Sequence, residues 1–312
     1  MSKSKFTFMV NTLVNLTWPT YTSSRIKNYA VSNRPSMNEP PNQSRTTTDE
    51  KLAKYWSSNK TMGEVLRQAD QLYESKNYIE VYELLNRLKY NNNSEVKWRI
   101  ARVLYQTTAD NVLPLEIERE MIDEAYTLLI DEATEENINA SIHKWFAIIC
   151  DCRHRLLGLE ERIKGYHRVL KHLRIAYKLD PNDITVGFLL GKLCFDLANL
   201  QGFKRFIAAT LYAEPPTSTF EEAFEYLGKV EELSDWNFIS NVYYLGRTCF
   251  KLKQFYKAKH YLNKACYMKP KNDYERKHLW EAKQLLARVE KYTIGKEILY
   301  PNCNCDMEKP IE

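Results

Sequence analysis

The residues Cys150-Asp151-Cys152-Arg153-His154 are where metal-ligating types crowd together along the chain. On a helix, Cys150 and His154 are four apart and share a face, but Cys152 points nearly opposite, so three ligands cannot converge on one ion. Buried, inert thiols are the better reading. Cys303 and Cys305 offer two thiols near the C-terminus, enough for a soft metal or a crosslink and too few for a closed zinc site. His143, beside Trp145, reads as a packed or capping side chain, while His167 and His172 fall in a basic helix and would add partial charge. Glu160-Glu161 and Glu221-Glu222 are neighbours in helices, and adjacent helical residues do not face each other, which argues against paired acid–base work. No nucleotide-cradling loop, dinucleotide fingerprint, zinc-protease helix or nucleophile elbow occurs, and 9 glycines leave little for one. The expectation is a protein with no catalytic residue, no cofactor and no metal: not an enzyme.

What remains is charge. Residues 247–271 hold Arg247, Lys251, Lys253, Lys257, Lys259, Lys264, Lys269 and Lys271 without a single acid. Residues 153–178 add eight cations against Glu160 and Glu161, with Lys164, Arg168, Lys171 and Lys178 near one helical stripe. By contrast, residues 116–136 carry nine acids and one base, and residues 214–235 seven acids and one base. Such alternation either makes a salt-bridged exterior or presents a basic face to an anionic partner. The candidate face is Arg247, Lys251, Lys253, Lys257, Lys259 and Lys264 with Lys164, Arg168 and Lys171. It suits acidic protein tails or, peripherally, membrane headgroups or lipid. Nucleic acid fits poorly, because residues 39–312 are charge-neutral and carry no nucleic-acid motif.

The overall charge of +5 comes from residues 1–38, whose five cations precede the first acid, Glu39. That segment is also rich in Ser and Thr, the composition of a mitochondrial presequence, and residues 39–50 read as linker. A composition of 44% hydrophobic and 27% charged residues is that of a soluble globular chain, with no apolar run suited to a membrane-spanning helix. Seven dispersed cysteines, an odd number, favour reduced thiols and an intracellular setting.

These charges must be positioned by helices. Leu66, Ala69, Leu72 and Tyr73 share one helical face, and Val81, Leu84, Leu85 and Leu88 repeat the pattern after Ser75-Lys76-Asn77. A lone helical hairpin cannot bury its faces, so copies are expected. The clearest spans 239–272, where Leu245-Gly246, Phe255, Ala258, Leu262, Ala265 and Pro270 resemble the signature positions of a tetratricopeptide repeat. Gly246 and Ala258 would let the paired helices approach, Phe255 and Leu262 would fill between them, and Pro270 would end the second helix. Further copies are expected over 62–95, 94–139, 140–183 and 184–238, the last with about twenty extra residues between Leu190-Gly191 and Ala223–Leu227. A final amphipathic helix, Tyr274 to Tyr292, would cap the stack. The expected fold is all-α: a solenoid of about five tetratricopeptide-like hairpins with insertions and a C-terminal capping helix over 51–293, flanked by tails at 1–50 and 294–312.

A set of ordered landmarks resembles the regulator of microtubule dynamics family. They are Gln68 to Ser75, Lys97-Trp98-Arg99-Ile100-Ala101-Arg102, His143-Lys144-Trp145-Phe146-Ala147-Ile148, Asp180-Pro181-Asn182-Asp183, Leu190 to Phe195, and most specifically Pro215-Pro216-Thr217-Ser218-Thr219-Phe220-Glu221-Glu222-Ala223. The resemblance implies a helical-repeat scaffold that associates with microtubules and the spindle and acts in chromosome segregation. Its basic face would then meet acidic tubulin surfaces, in the cytoplasm and on the cytoskeleton. Some members of that family are mitochondrial or tether organelles. This leaves a second expectation, a mitochondrial or contact-site scaffold binding a peptide or lipid in the groove.

Overall fold

A computed structural model of the protein describes residues 61–88, 92–110, 113–200, 205, 209–210, 213–234 and 237–293. The two expected tails, with the presequence-like segment 1–38 and Cys303 and Cys305, lie outside the described residues.

Among the described residues all regular structure is helical. The order is α1 (Met62–Glu74), α2 (Tyr78–Asn86), α3 (Ser94–Asp110), α4 (Leu115–Ile130), α5 (Ala140–Leu157), α6 (Leu159–Leu179), α7 (Ile184–Ala198), α8 (Phe220–Leu233), α9 (Ile239–Lys251), α10 (Phe255–Tyr267) and α11 (Asp273–Thr293). No helix among them is long and apolar enough to cross a membrane.

Local chemistry sets the helix ends. Thr61 opens α1 with a capping box: its hydroxyl accepts from the Glu64 amide at 3.4 Å, while Glu64 Oε2 accepts from the Thr61 amide at 2.8 Å. Asp183 and Thr219 cap α7 and α8 through single side-chain oxygens. Two hairpins turn identically. Lys76 (φ 61°) and Lys253 (φ 60°) occupy the left-handed region, and each following amide, Asn77 or Gln254, donates back to Leu72 or Cys249 at 2.9 Å. The same unusual geometry, 177 residues apart in the numbering, marks the two hairpins as copies.

The chain divides into two compact units. The first holds three hairpins, α1/α2, α3/α4 and α5/α6, with residues 213–216. The second holds α7/α8, α9/α10 and α11. In each, the leading helices of successive hairpins lie side by side: α1–α3–α5 in the first, α7–α9–α11 in the second. The expected all-α fold of tetratricopeptide-like hairpins is therefore present, with α11 packed on α9 and α10 as the cap.

The packing explains the small residues. A Cβ placed on Gly246 would stand 2.7 Å from the Leu262 side chain, and one on Gly191 would stand 2.7 Å from Leu227. Both contacts are the same step in the hairpin, although the partners are 16 residues apart in one and 36 in the other. The difference is the twenty-residue insertion, which leaves the interface between the helices intact. Ala258, Leu262 and Ala265 are fully buried at this step, as are Ala223 and Leu227 in the equivalent place. The first unit is built on the same principle from Ala69, Val81, Leu85, Ile100, Ala101, Ala125 and Leu129.

Candidate functional site

The metal-ligand types of α5 part company. Cys150 Sγ lies 3.7 Å from His154 Nδ1, whereas Cys152 Sγ accepts from Arg155 Nη2 at 3.3 Å. Burial pushes the Cys150 thiol up to about 12 and raises that of Cys152, so neither is a ready thiolate. His143 is a packed residue, as its place beside Trp145 suggests: its Nε2 meets the Asn137 carbonyl at 2.9 Å and its Nδ1 meets His172 Nδ1 at 2.9 Å. If Nε2–H donates to the carbonyl, Nδ1 of His143 is the acceptor and His172 the donor, a pairing of two neutral rings. His172 departs from expectation. Burial first, then His143, Lys171 and Arg168, pushes it down to about 4, so it adds no charge at neutral pH.

The basic candidates fall into two sets. Lys164, Arg168 and Lys171 sit on exposed positions of α6 in the first unit. Lys164 Nζ pairs with Glu160 at 2.6 Å and with Glu161 at 3.2 Å. Lys171 pairs with Glu135, whose carboxyl is held below its ordinary range by that hydrogen bond. Arg168 donates to the Tyr126 hydroxyl at 2.8 Å. Elsewhere in this unit Arg99 and Arg102 converge on Asp70, Lys97 meets Glu132, and Arg162 is buried against Asp151. Carboxylates answer most of these charges.

In the second unit the cations meet rings instead. The Arg247 guanidinium, half-buried, lies over Phe195 at 4.5 Å and near Tyr244 and Tyr243 at 5.2 and 5.3 Å. Exposed Lys251 lies 6.0 Å from the Phe220 ring, and exposed Lys257 lies 5.7 Å from Phe224. Lys253 occupies the α9–α10 turn, and Lys259 and Lys264 are half-buried on α10. Among the described residues, Arg247, Lys251, Lys253 and Lys257 form no ion pair. Burial lowers the Lys251 pKa, and repulsion from Arg247 and Arg288 lowers it further.

Arg288, on α11, is the residue that charge counting along the chain overlooks. Its guanidinium lies over Phe250 at 5.3 Å, and it too lacks an ion pair among the described residues. Asp273, Glu275, Glu281 and Glu290 make its neighbourhood in sequence look balanced. Three of these side chains are engaged elsewhere: Glu281 accepts from the Tyr243 hydroxyl at 2.7 Å, Glu275 from the Lys271 amide at 2.7 Å, and Asp273 pairs with Arg276.

Beneath these cations is an enclosed polar cluster. Lys192 and Asp196 form a buried ion pair at 2.8 Å, and His278 Nδ1 meets Ser240 Oγ at 2.9 Å. Burial, then Lys192, Arg247 and Lys277, pushes His278 down to about 3. This cluster is internal support for α7, α9 and α11, set where Phe188, Phe195 and Tyr244 exclude water.

With that geometry in place, residues 65–290 match the family model for regulator of microtubule dynamics proteins 1–3. The chain belongs to this family. It is 33% identical over 225 residues to regulator of microtubule dynamics protein 1 of Mus musculus, covering 72% of this chain and 73% of the relative. It is 29% identical over 204 residues to protein 2 of the same organism, covering 64% of this chain and 50% of that one. A solved tetratricopeptide-repeat protein of Thermus thermophilus superposes with a TM-score of 0.45 at 15% identity, over 72% of this chain and all of that one (100%).

Proposed function

We propose that this protein is a non-enzymatic, microtubule-associated scaffold that regulates microtubule dynamics by holding acidic tubulin surfaces on the basic helices of its second unit. Spindle function and chromosome segregation, on the cytoskeleton in the cytoplasm, are the setting proposed for it. Family membership supports the broad role. The observation that supports the contact is the set of lysines at the end of α9 and at the α9–α10 turn and start, Lys251, Lys253 and Lys257, that form no ion pair among the described residues. Charges already paired inside the protein, such as Lys164 and Lys171, have less to offer a partner.

Reversing Lys251, Lys253, Lys257 and Lys259 to Glu is expected to weaken microtubule co-sedimentation at least about tenfold, and added salt to weaken the wild type in the same direction. Pelleting that survives both treatments unchanged would overturn the reading.

A further inference from the structure

Three cations crowd the C-terminal end of α9. Lys251 stands one turn beyond Arg247 on the same helix, and Arg288 approaches from α11, close enough that both guanidinium groups bear on the lysine. Arg247 is partly answered from inside: against burial, Tyr243, Tyr244, Asp196 and Glu281 raise its pKa. Lys251 and Arg288 form no ion pair among the described residues, and like charges so held oppose the fold until an anion arrives. Lys251 and Arg288 are exposed, so an arriving group can reach both, while the Arg247 guanidinium is enclosed by Phe195, Tyr243 and Tyr244.

The cations do not stand alone. Phe250, next to Lys251, packs edge-on to Phe255 at 5.8 Å and to Tyr292 at 6.0 Å. Phe255 and Tyr292 stack at 4.6 Å with only 8° between their planes. Phe255 covers one side of Tyr292, yet the residue remains 49% exposed. A flat aromatic platform therefore adjoins two exposed cations, Lys251 and Arg288, that form no ion pair among the described residues. A bare point anion would use the cations and leave the platform wet. A chain bearing both carboxylates and a ring would use both.

We propose that the α9–α11 end of the second unit is a receptor for an extended acidic peptide segment containing an aromatic residue, with carboxylates on Lys251 and Arg288 and the ring against Tyr292. This rests on the reading of the protein as a binder of acidic protein surfaces. It narrows that reading from a broad basic face to one end of two helices, and from any acidic chain to one with a ring.

The test uses the full chain and two labelled peptides, Glu-Glu-Glu-Tyr-Glu-Glu and the same sequence with Ala for Tyr, followed by fluorescence anisotropy. The expected result is that the tyrosine peptide binds about three- to fivefold more tightly than the alanine peptide. Lys251→Glu and Arg288→Glu each lower affinity for both peptides at least about tenfold, whereas Lys283→Glu, at an exposed α11 position outside the candidate face, lowers it less than about twofold. Tyr292→Ala removes the difference between the peptides and spares the alanine peptide. All four substitutions alter exposed or half-buried side chains, and unchanged circular-dichroism melting confirms that each variant is folded.

Equal binding of the two peptides overturns the aromatic part, and an Arg288→Glu effect no larger than that of Lys283→Glu overturns the localised receptor. Binding to phosphatidylserine-containing vesicles with no binding to either peptide overturns the peptide assignment. Microtubule pelleting is run in parallel. Pelleting that depends on the α9–α10 lysines, without the peptide preference, sinks this inference and leaves the proposed function standing. The peptide preference without any pelleting does the reverse.

Discussion

The two units use the same hairpin, and the cations at the end of α9 are treated differently from most of those in the first unit. In the first, arginines and lysines are answered from inside the protein: Arg99 and Arg102 share Asp70, Arg155 reaches Glu118 at 3.1 Å, and Arg162 is buried against Asp151. In the second, Arg247, Lys251, Lys257 and Arg288 lie over phenylalanine and tyrosine rings. A ring stabilises a cation by about 0.5–1 kcal/mol at an exposed site and leaves its charge unneutralised. A carboxylate partner ends the charge's availability. The first unit therefore spends most of these cations on cohesion; the second pairs Lys192, Lys229 and Arg276 with carboxylates and keeps Lys251, Lys257 and Arg288 available.

The largest effect that separates the units is expected at Asp151. Its carboxylate is 2% exposed and takes two hydrogen bonds from Arg162, at 3.1 and 3.3 Å. Asp151→Ala leaves a buried guanidinium uncompensated and is expected to remove about 3–5 kcal/mol. Amide exchange checks it: protection should fall in α5 and α6 and persist in α9 and α10. Uniform loss across both units would break the comparison.

The reciprocal experiment adds a methyl group in the second unit. Gly246→Ala and Gly191→Ala each drive a Cβ against a leucine and are expected to cost about 1–3 kcal/mol, read by denaturant unfolding. Similar costs at the two sites would sharpen the conclusion that the insertion before α8 leaves the hairpin interface alone. Leu262→Val should recover part of the loss at Gly246.

Acid acts on both units. The unfolded imidazole titrates near 6.5, while His172 in the fold is pushed down to about 4 and His278 to about 3. The folded pKa lies below the unfolded one, so the unfolded state takes up protons first. The stability is fully present above about pH 6.5 and falls as pH drops toward the folded values. For His172 the loss between pH 7 and pH 5 is expected to be about 2 kcal/mol. Denaturant midpoints across that range check it, and His172→Leu should flatten the slope measured in α5 and α6. The smallest effect is expected at the exposed pairs. Lys164→Ala and Lys171→Ala should leave both the melting temperature and microtubule pelleting within error of the wild type.

Much of the fold was legible because it is local and periodic. Gly246, Phe255, Ala258 and Leu262 recur at helical spacing, and each residue type is forced by how closely two helices approach. The charge pattern was legible only in one dimension. Glu160 and Glu161, four and three residues from Lys164, could be anticipated from helix geometry. Glu135, thirty-six residues from Lys171, could not. Arg247 read as one more surface cation, yet it is half-buried among rings contributed by two helices. Arg288 was hidden by the acids that neighbour it in sequence. The division into two units between α6 and α7 left no mark on a hairpin period that continues through it.

The repulsion at Lys251 makes the second unit a gauge of its own occupancy. A cluster held together against like charge gains stability when a counter-ion arrives, and any ligand that binds only the folded state raises the unfolding temperature with its concentration. A ligand at a hundred times its dissociation constant adds about 2.7 kcal/mol. Heating the protein in the presence of candidate acidic segments therefore ranks them without labels and without microtubules, and Arg288→Glu supplies the blank.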